Sequence, residues 1–217
     1  MRETLSYLDP TSTRNRLHVT PGERCTTTTY DPRSVFIADA RPHRAELDLG
    51  AAGLARLDHD SAVADLGGDE EVERVYVPGA CETIRLLMGA DVVVALGWVR
   101  RSSSRGTPGA QPPAADVHVD VHPDRAPGRF ADVHARAAPA VPPFRRAIFS
   151  SLWRCLSPPP QDWPLALCDH RRVEDDEAVP NLMLNVEALP ETVPDTIEHP
   201  ERPPAASIFA HRPAHRW

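Results

Sequence analysis

The stretch "SSLWRCLSPPPQDWPLALCDHRRV", residues 150–173, holds two of the chain's four tryptophans and says more about the fold than any other. Its "PLALCD" portion, Pro164–Asp169, reads as a short apolar strand. The residues leading into it, Arg145–Trp153, suit either helix or strand. Trp153 and Trp163 either line a pocket or fill the core, where large aromatics more often sit. Arg154 carries a planar fork suited to a carboxylate, supplied by a ligand or by Asp162 or Asp169 in an ion pair.

Outward from this stretch the elements are short. "RSVFIAD", Arg33–Asp39, reads as a strand. The spacing predicts a helix over about Asp69–Val75, with acidic residues crowding its first turn. A second helix over Glu82–Met88 is stopped by Gly89. Val92–Leu96 is a short buried strand that emerges at Arg100 and Arg101. Residues 102–114 are Ser, Gly and Pro with almost no apolar content, which predicts a mobile loop. "DVHVDVH" follows as a strand and "PDRAPGRF" as a turn, and Val133–Ala138 suits either helix or strand. Beyond Glu187 only "ASIFAH" reads as a strand, and Glu174–Glu177 as a solvated turn. Together these give an α+β chain, mainly β, with helices near the N-terminus and a sandwich or barrel core.

A chain of 217 residues suits one domain with a sizeable core. The net charge of −7 argues against nucleic acid or an acidic membrane surface as partner. All 24 basic residues are Arg, which carries no functional message. Cys25, Cys81, Cys155 and Cys168 are scattered, so reduced, mostly buried thiols in a cytoplasmic protein are expected. No apolar run approaches the roughly 20 residues needed to span a membrane.

In "ADVHVDVHP", residues 115–123, strand alternation puts His118 and Asp120 on one face. A His-x-Asp pair joined by a second His is the donor set of a mononuclear Fe(II) site. Chance supplies about 0.8 such pairs in a chain with 10 His and 18 Asp, and this one has two, the other being His122–Asp124. Spacing alone therefore favours an ordinary polar strand end. His122 lies about 13 Å along an extended strand from His118, too far to share an ion with it.

The stretch around Trp153 resembles a signature of the CmcJ/NvfI-like oxygenases, "W-R-P-L…P-V-x-D-W-P-L-A-L-C-D". That group contains the cephalosporin 7α-hydroxylase component of cephamycin biosynthesis and fungal hydroxylase/desaturases. The likeness runs over Trp153-Arg154-Cys155-Leu156 and Gln161 to Asp169. Arg33 to Arg41 is similar to the family's "R-x-V-x-I-x-D-A-R", Ser61 to Leu66 to its "S-A-V-x-D-F", and Val75 to Pro78 to its "v-Y-y-P". The family's "H-V-D-x-S-P-x-G" falls on His118 to Pro123, with His122 in place of the Ser. Ala95 to Arg100 lacks the His and Asp of the family's "F-D-H-T-V-R".

The resemblance implies a single oxygenase-like domain over residues 1–217 with a double-stranded β-helix (jelly-roll) core, holding Fe(II) and using 2-oxoglutarate. His118 and Asp120 are the implied metal ligands, and Arg154 a candidate for binding substrate or cosubstrate. The implied activity is hydroxylation or desaturation of a small organic molecule in secondary metabolism, such as antibiotic biosynthesis. "AHRW", residues 214–217, is similar to a family segment that leads into further strands. The third ligand and an oxoacid-binding Arg are therefore expected beyond this chain's last strand, with His211 and His215 as internal substitutes. The alternative is a catalytically silent relative that binds a methyltransferase in a methoxylation system. Arg129 is a weaker carboxylate-binding candidate, and His170 is expected at the surface.

Overall fold

The structure is a computed structural model that describes residues 1–13, 15–19, 24–63, 65–104, 106–173, 178–185 and 206–210. His211, His215 and the Glu174–Glu177 turn lie outside the described residues. Its strands are β1 (Arg2–Leu8), β2 (Arg16–Val19), β3 (Arg24–Thr26), β4 (Tyr30–Phe36), β5 (Arg100–Arg101), β6 (Ala110–Gln111), β7 (His118–Val119), β8 (Ala178–Asn185) and β9 (Ala206–Ala210). The helices are α1 (Asp69–Glu71), a π-helical stretch (Val72–Tyr76), α2 (Val77–Met88) and α3 (Ala126–Ala137). The chain forms two compact units: residues 1–56, 114–127 and 165–217, and residues 57–113 and 128–164.

The first unit is the β unit. β1 and β4 pair antiparallel, with Leu8 opposite Tyr30. A five-stranded sheet runs β3-β2-β8-β9-β7, in which only β2 and β8 are parallel. Tyr7, Leu8, Val35, Ala52 and Leu184 are its buried apolar residues. Tyr7 and Leu8 are adjacent and so point to opposite faces, which means that the end of β1 is covered on both sides. Gly53 is left-handed (φ 73°), and a Cβ there would sit 3.2 Å from the His170 Cβ, where the His170 N–H donates to the Ala52 carbonyl. A side chain at Gly53 would therefore be strained by backbone and neighbour alike.

His18 of β2 is 2% exposed, and neither ring nitrogen has a hydrogen-bond partner among the described residues. Burial first, and the charge of Arg16 second, hold its pKa below the ordinary value of 6.5. The unfolded chain takes up this proton first, so stability is complete above about pH 6.5 and falls as the pH drops through the folded value. Replacing His18 with Leu removes both orphaned nitrogens. Urea unfolding should then show a gain of about 1–2 kcal/mol and a flatter dependence between pH 7.5 and 5. A loss of stability at pH 7.5 would mean that the imidazole makes contacts not accounted for here.

The second unit carries α1, the π-helical stretch, α2 and most of α3. Pro78 has no N–H to offer the Arg74 carbonyl four residues back, and the turn before it widens, with the Val77 N–H donating to the Val72 carbonyl. Val72, the buried apolar residue of this unit among the described residues, sits in that widened turn. Gly89 ends α2 in the left-handed conformation (φ 60°), as its sequence position implies. Phe130, in α3, stacks on Phe149 at 4.3 Å and meets Phe144 edge-on at 6.1 Å. The His134 Nε2–H donates to the Val141 carbonyl at 2.9 Å.

Several expectations are corrected. Val92–Leu96 is neither a strand nor buried: Val92 and Leu96 are 44% and 54% exposed. Pro164–Asp169 forms no strand, Arg145–Trp153 no regular element, and Trp153 and Trp163 are about half exposed rather than core. "PDRAPGRF" is not a turn but a short 3-10 helix, Pro123–Arg125, running into α3. The strand "RSVFIAD" begins three residues earlier, at Tyr30, and ends at Phe36. No cysteine is fully buried, and Cys155 is exposed. Around the Ser- and Pro-rich segment, β5 and β6 pair in parallel, and Arg101 donates to the Pro112 carbonyl at 2.8 Å.

Candidate metal centre

"DVHVDVH" pairs over only two residues, yet that short strand is held on both sides. The Val117 N–H donates to the Ser6 carbonyl of β1 at 2.9 Å. His118 and Val119 then pair with Phe209 and Ile208 of β9. The backbone is thus fixed where the histidine projects.

His118 is half-buried. Its Nδ1–H donates to the Asp116 carbonyl at 2.9 Å, and the Asp116 carboxylate lies 3.4 Å from the same nitrogen. Nδ1 is therefore committed, and Nε2 keeps its lone pair. Nε2 faces Asp120, whose Oδ1 is 3.9 Å away on a largely exposed side chain. One imidazole nitrogen and one carboxylate oxygen thus face each other, with a second carboxylate beside the ring's other nitrogen. This is the usual way of fixing a metal-binding histidine's tautomer.

The electrostatics agree with this arrangement. Hydrogen bonding to Asp116, against a smaller opposing effect of burial, raises the His118 pKa above its ordinary value. Burial and the Asp116 charge push the Tyr30 phenol up to about 12, so it stays protonated beside the site. A divalent cation would compete with the proton for Nε2 and would be favoured by the same two carboxylates.

Asp116 is the residue that sequence reasoning missed. The alternation that put His118 and Asp120 on one face also includes Asp116, so the signal was Asp-x-His-x-Asp rather than His-x-Asp. Among the described residues, no group of three or more His, Cys, Asp or Glu side chains is placed to hold a metal ion. His122 instead caps the following turn, its Nδ1 accepting from the Asp124 N–H at 3.2 Å. Asp124 is 88% exposed, its Oδ2 3.8 Å from His122 Nδ1.

In the second unit, Arg154 meets neither expected carboxylate. Asp169 is held by Arg171 through two parallel hydrogen bonds, which keep its carboxyl down at about 2. Asp162 accepts from the Ser103 hydroxyl at 2.5 Å. Arg154 donates to Tyr76 and His59 instead. His170 is exposed, and so is Arg129.

A family model described as an oxidoreductase/YMDC permease-like domain matches residues 5–217. The Fe(II)/2-oxoglutarate-dependent dioxygenase nvfI of Aspergillus novofumigatus is 29% identical over 167 residues, 74% of this chain. The chain spans 59% of that relative's length. Among solved structures, the iron and alpha-ketoglutarate-dependent endoperoxidase NvfI superposes with a TM-score of 0.68 at 22% identity. That match covers 97% of this chain and 83% of the other. A tryptophan-to-phenylalanine variant of the same enzyme gives 0.68 at 20% identity, covering 98% and 76%. These matches establish a shared fold. No helix among the described residues is long and apolar enough to cross a membrane.

Proposed function

This chain belongs to the oxidoreductase/YMDC permease-like family, and we propose that it is a non-haem Fe(II), 2-oxoglutarate-dependent oxygenase acting on a small organic molecule. The observation that carries the reading is the Asp116–His118–Asp120 arrangement: Nδ1 anchored at 2.9 Å, and Nε2 open and facing a carboxylate. The likeness to an enzyme named for both cofactors supports it. A jelly-roll core in one oxygenase domain is the architecture this reading implies.

Bound iron would supply the oxidising chemistry that no side chain can. The chain's own residues have narrower tasks. His118 and Asp120 would hold the iron, which when bound would supply the activation of oxygen with the oxoacid. Asp116 keeps the imidazole hydrogen on Nδ1, so that Nε2 stays available. Tyr30, protonated up to about 12, adds no second charge behind Asp116. Hydroxylation or desaturation of a substrate C–H bond is the outcome we propose.

The test is an anaerobic Fe(II) titration followed in the visible region, with and without 2-oxoglutarate. A weak charge-transfer absorbance should grow only when both are present, because it requires metal and oxoacid in one site. Absence of that band at saturating iron and oxoacid would overturn the proposal.

A further inference from the structure

Arg154 is a half-buried guanidinium with no carboxylate within ion-pair distance among the described residues. Its Nε–H donates to the Tyr76 hydroxyl at 3.2 Å. Its Nη2 donates to the His59 carbonyl at 3.0 Å and to His59 Nδ1. The guanidinium carbon also lies 5.5 Å from the centre of the Tyr76 ring, in cation–π range. Five N–H groups are available, and these contacts engage Nε and Nη2, which leaves the Nη1 hydrogens without a partner among the described residues.

Each partner is left with a hydrogen to give. The Tyr76 oxygen accepts from Arg154, so its own hydrogen is free to donate elsewhere. His59 Nδ1 accepts from a group that can only donate, so the ring hydrogen is on Nε2. Tyr76 closes the π-helical stretch created ahead of Pro78, a distortion often found where a side chain must be aimed. A fixed, charged fork without a counter-ion, flanked by two spare donors, is built for an anion.

We propose that Arg154, Tyr76 and His59 form a binding subsite for the carboxylate of a small organic monoacid. One guanidinium with neutral donors balances one charge, which favours a carboxylate over a phosphate dianion. That a carboxylate binds stands on this geometry alone; that it belongs to the oxygenase's substrate rests on the function proposed above. The subsite lies in the unit that does not carry His118 and Asp120.

Metal-free protein, with the arginine Nε–H signals followed by NMR, separates the two ideas. Sodium benzoate should shift the Arg154 signal saturably in the millimolar range, and sodium chloride at equal ionic strength should not. Arg154→Gln should abolish the saturable response at the remaining reporters, Tyr76 and His59. Tyr76→Phe, which keeps the ring, should weaken it about fivefold, the size of one ordinary hydrogen bond. If Arg154→Gln fails to fold, the Tyr76→Phe comparison decides. A response equal to that of chloride, or one unchanged in Tyr76→Phe, would overturn the subsite. A tenfold preference for 2-oxoglutarate or inorganic phosphate over benzoate would overturn the monoacid assignment. Binding of benzoate together with a failed iron titration would leave the subsite standing and remove the oxygenase reading.

Discussion

Asp120→Ala lowers Fe(II) affinity by more than about 100-fold, while Asp124→Ala leaves it within about twofold. Loss of an outer partner of a metal ligand already costs about 10–100-fold, and loss of a ligand itself exceeds that. The two aspartates are alike in sequence, each two residues after a histidine. They differ in the histidine each one meets. Asp120 Oδ1 stands 3.9 Å from His118 Nε2, the nitrogen that Asp116 leaves open. Asp124 belongs to a 3-10 helix whose first N–H is capped by His122, and its carboxylate is 88% exposed. Asp116→Asn falls between the two, since the backbone carbonyl still accepts from Nδ1 while the carboxylate charge is lost. Anaerobic calorimetry of the three variants checks the order. Equal affinities for Asp120→Ala and Asp124→Ala would remove the assignment of His118 and Asp120 together.

Leu8→Ala costs about 3–5 kcal/mol in urea unfolding, the range for a leucine removed from a site that cannot collapse. Leu8 is 0% exposed, and the adjacent Tyr7 is 3% exposed. Collapse around it is resisted by the unbroken β1–β4 ladder, which fixes Leu8 opposite Tyr30 over a seven-residue register. Leu86→Ala on the outer face of α2 is the control: at 66% exposure it has little transfer energy to lose. A cost below 1 kcal/mol for Leu8→Ala would mean that the two faces of β1 are not packed as described.

The juxtaposition of His118 and Asp120 was legible because strand alternation is a local rule, and two residues of regular pairing were enough to enforce it at His118. Gly89 was legible for a similar reason, since a left-handed helix stop is a property of the residue itself. What failed depended on partners. Val92–Leu96 has the composition of a buried strand, but composition does not say whether another strand lies beside it. "PDRAPGRF" reads as a turn because it contains two prolines and a glycine. Pro123 and Pro127 nevertheless stand in the first turns of their helices, where a missing N–H costs nothing. Arg154 was offered Asp162 and Asp169 by nearness in sequence. Asp169 was already taken by a residue two positions away, and Asp162 by one 59 positions away.

The short strand of His118 joins Ser6 of β1 on one side and Phe209 of β9 on the other, so whatever occupies the site is felt by strands that do not touch it. Mass action sets the size of the effect: an ion at a hundred times its dissociation constant deepens the native state by about 2.7 kcal/mol. That energy must be surrendered before the amides bridging these three strands can open to solvent. The slowest-exchanging hydrogens at the chain's first strand then become a gauge of metal supply. With iron bound at the proposed site, a cell short of iron would hold this protein with a looser N-terminal edge, open to proteases.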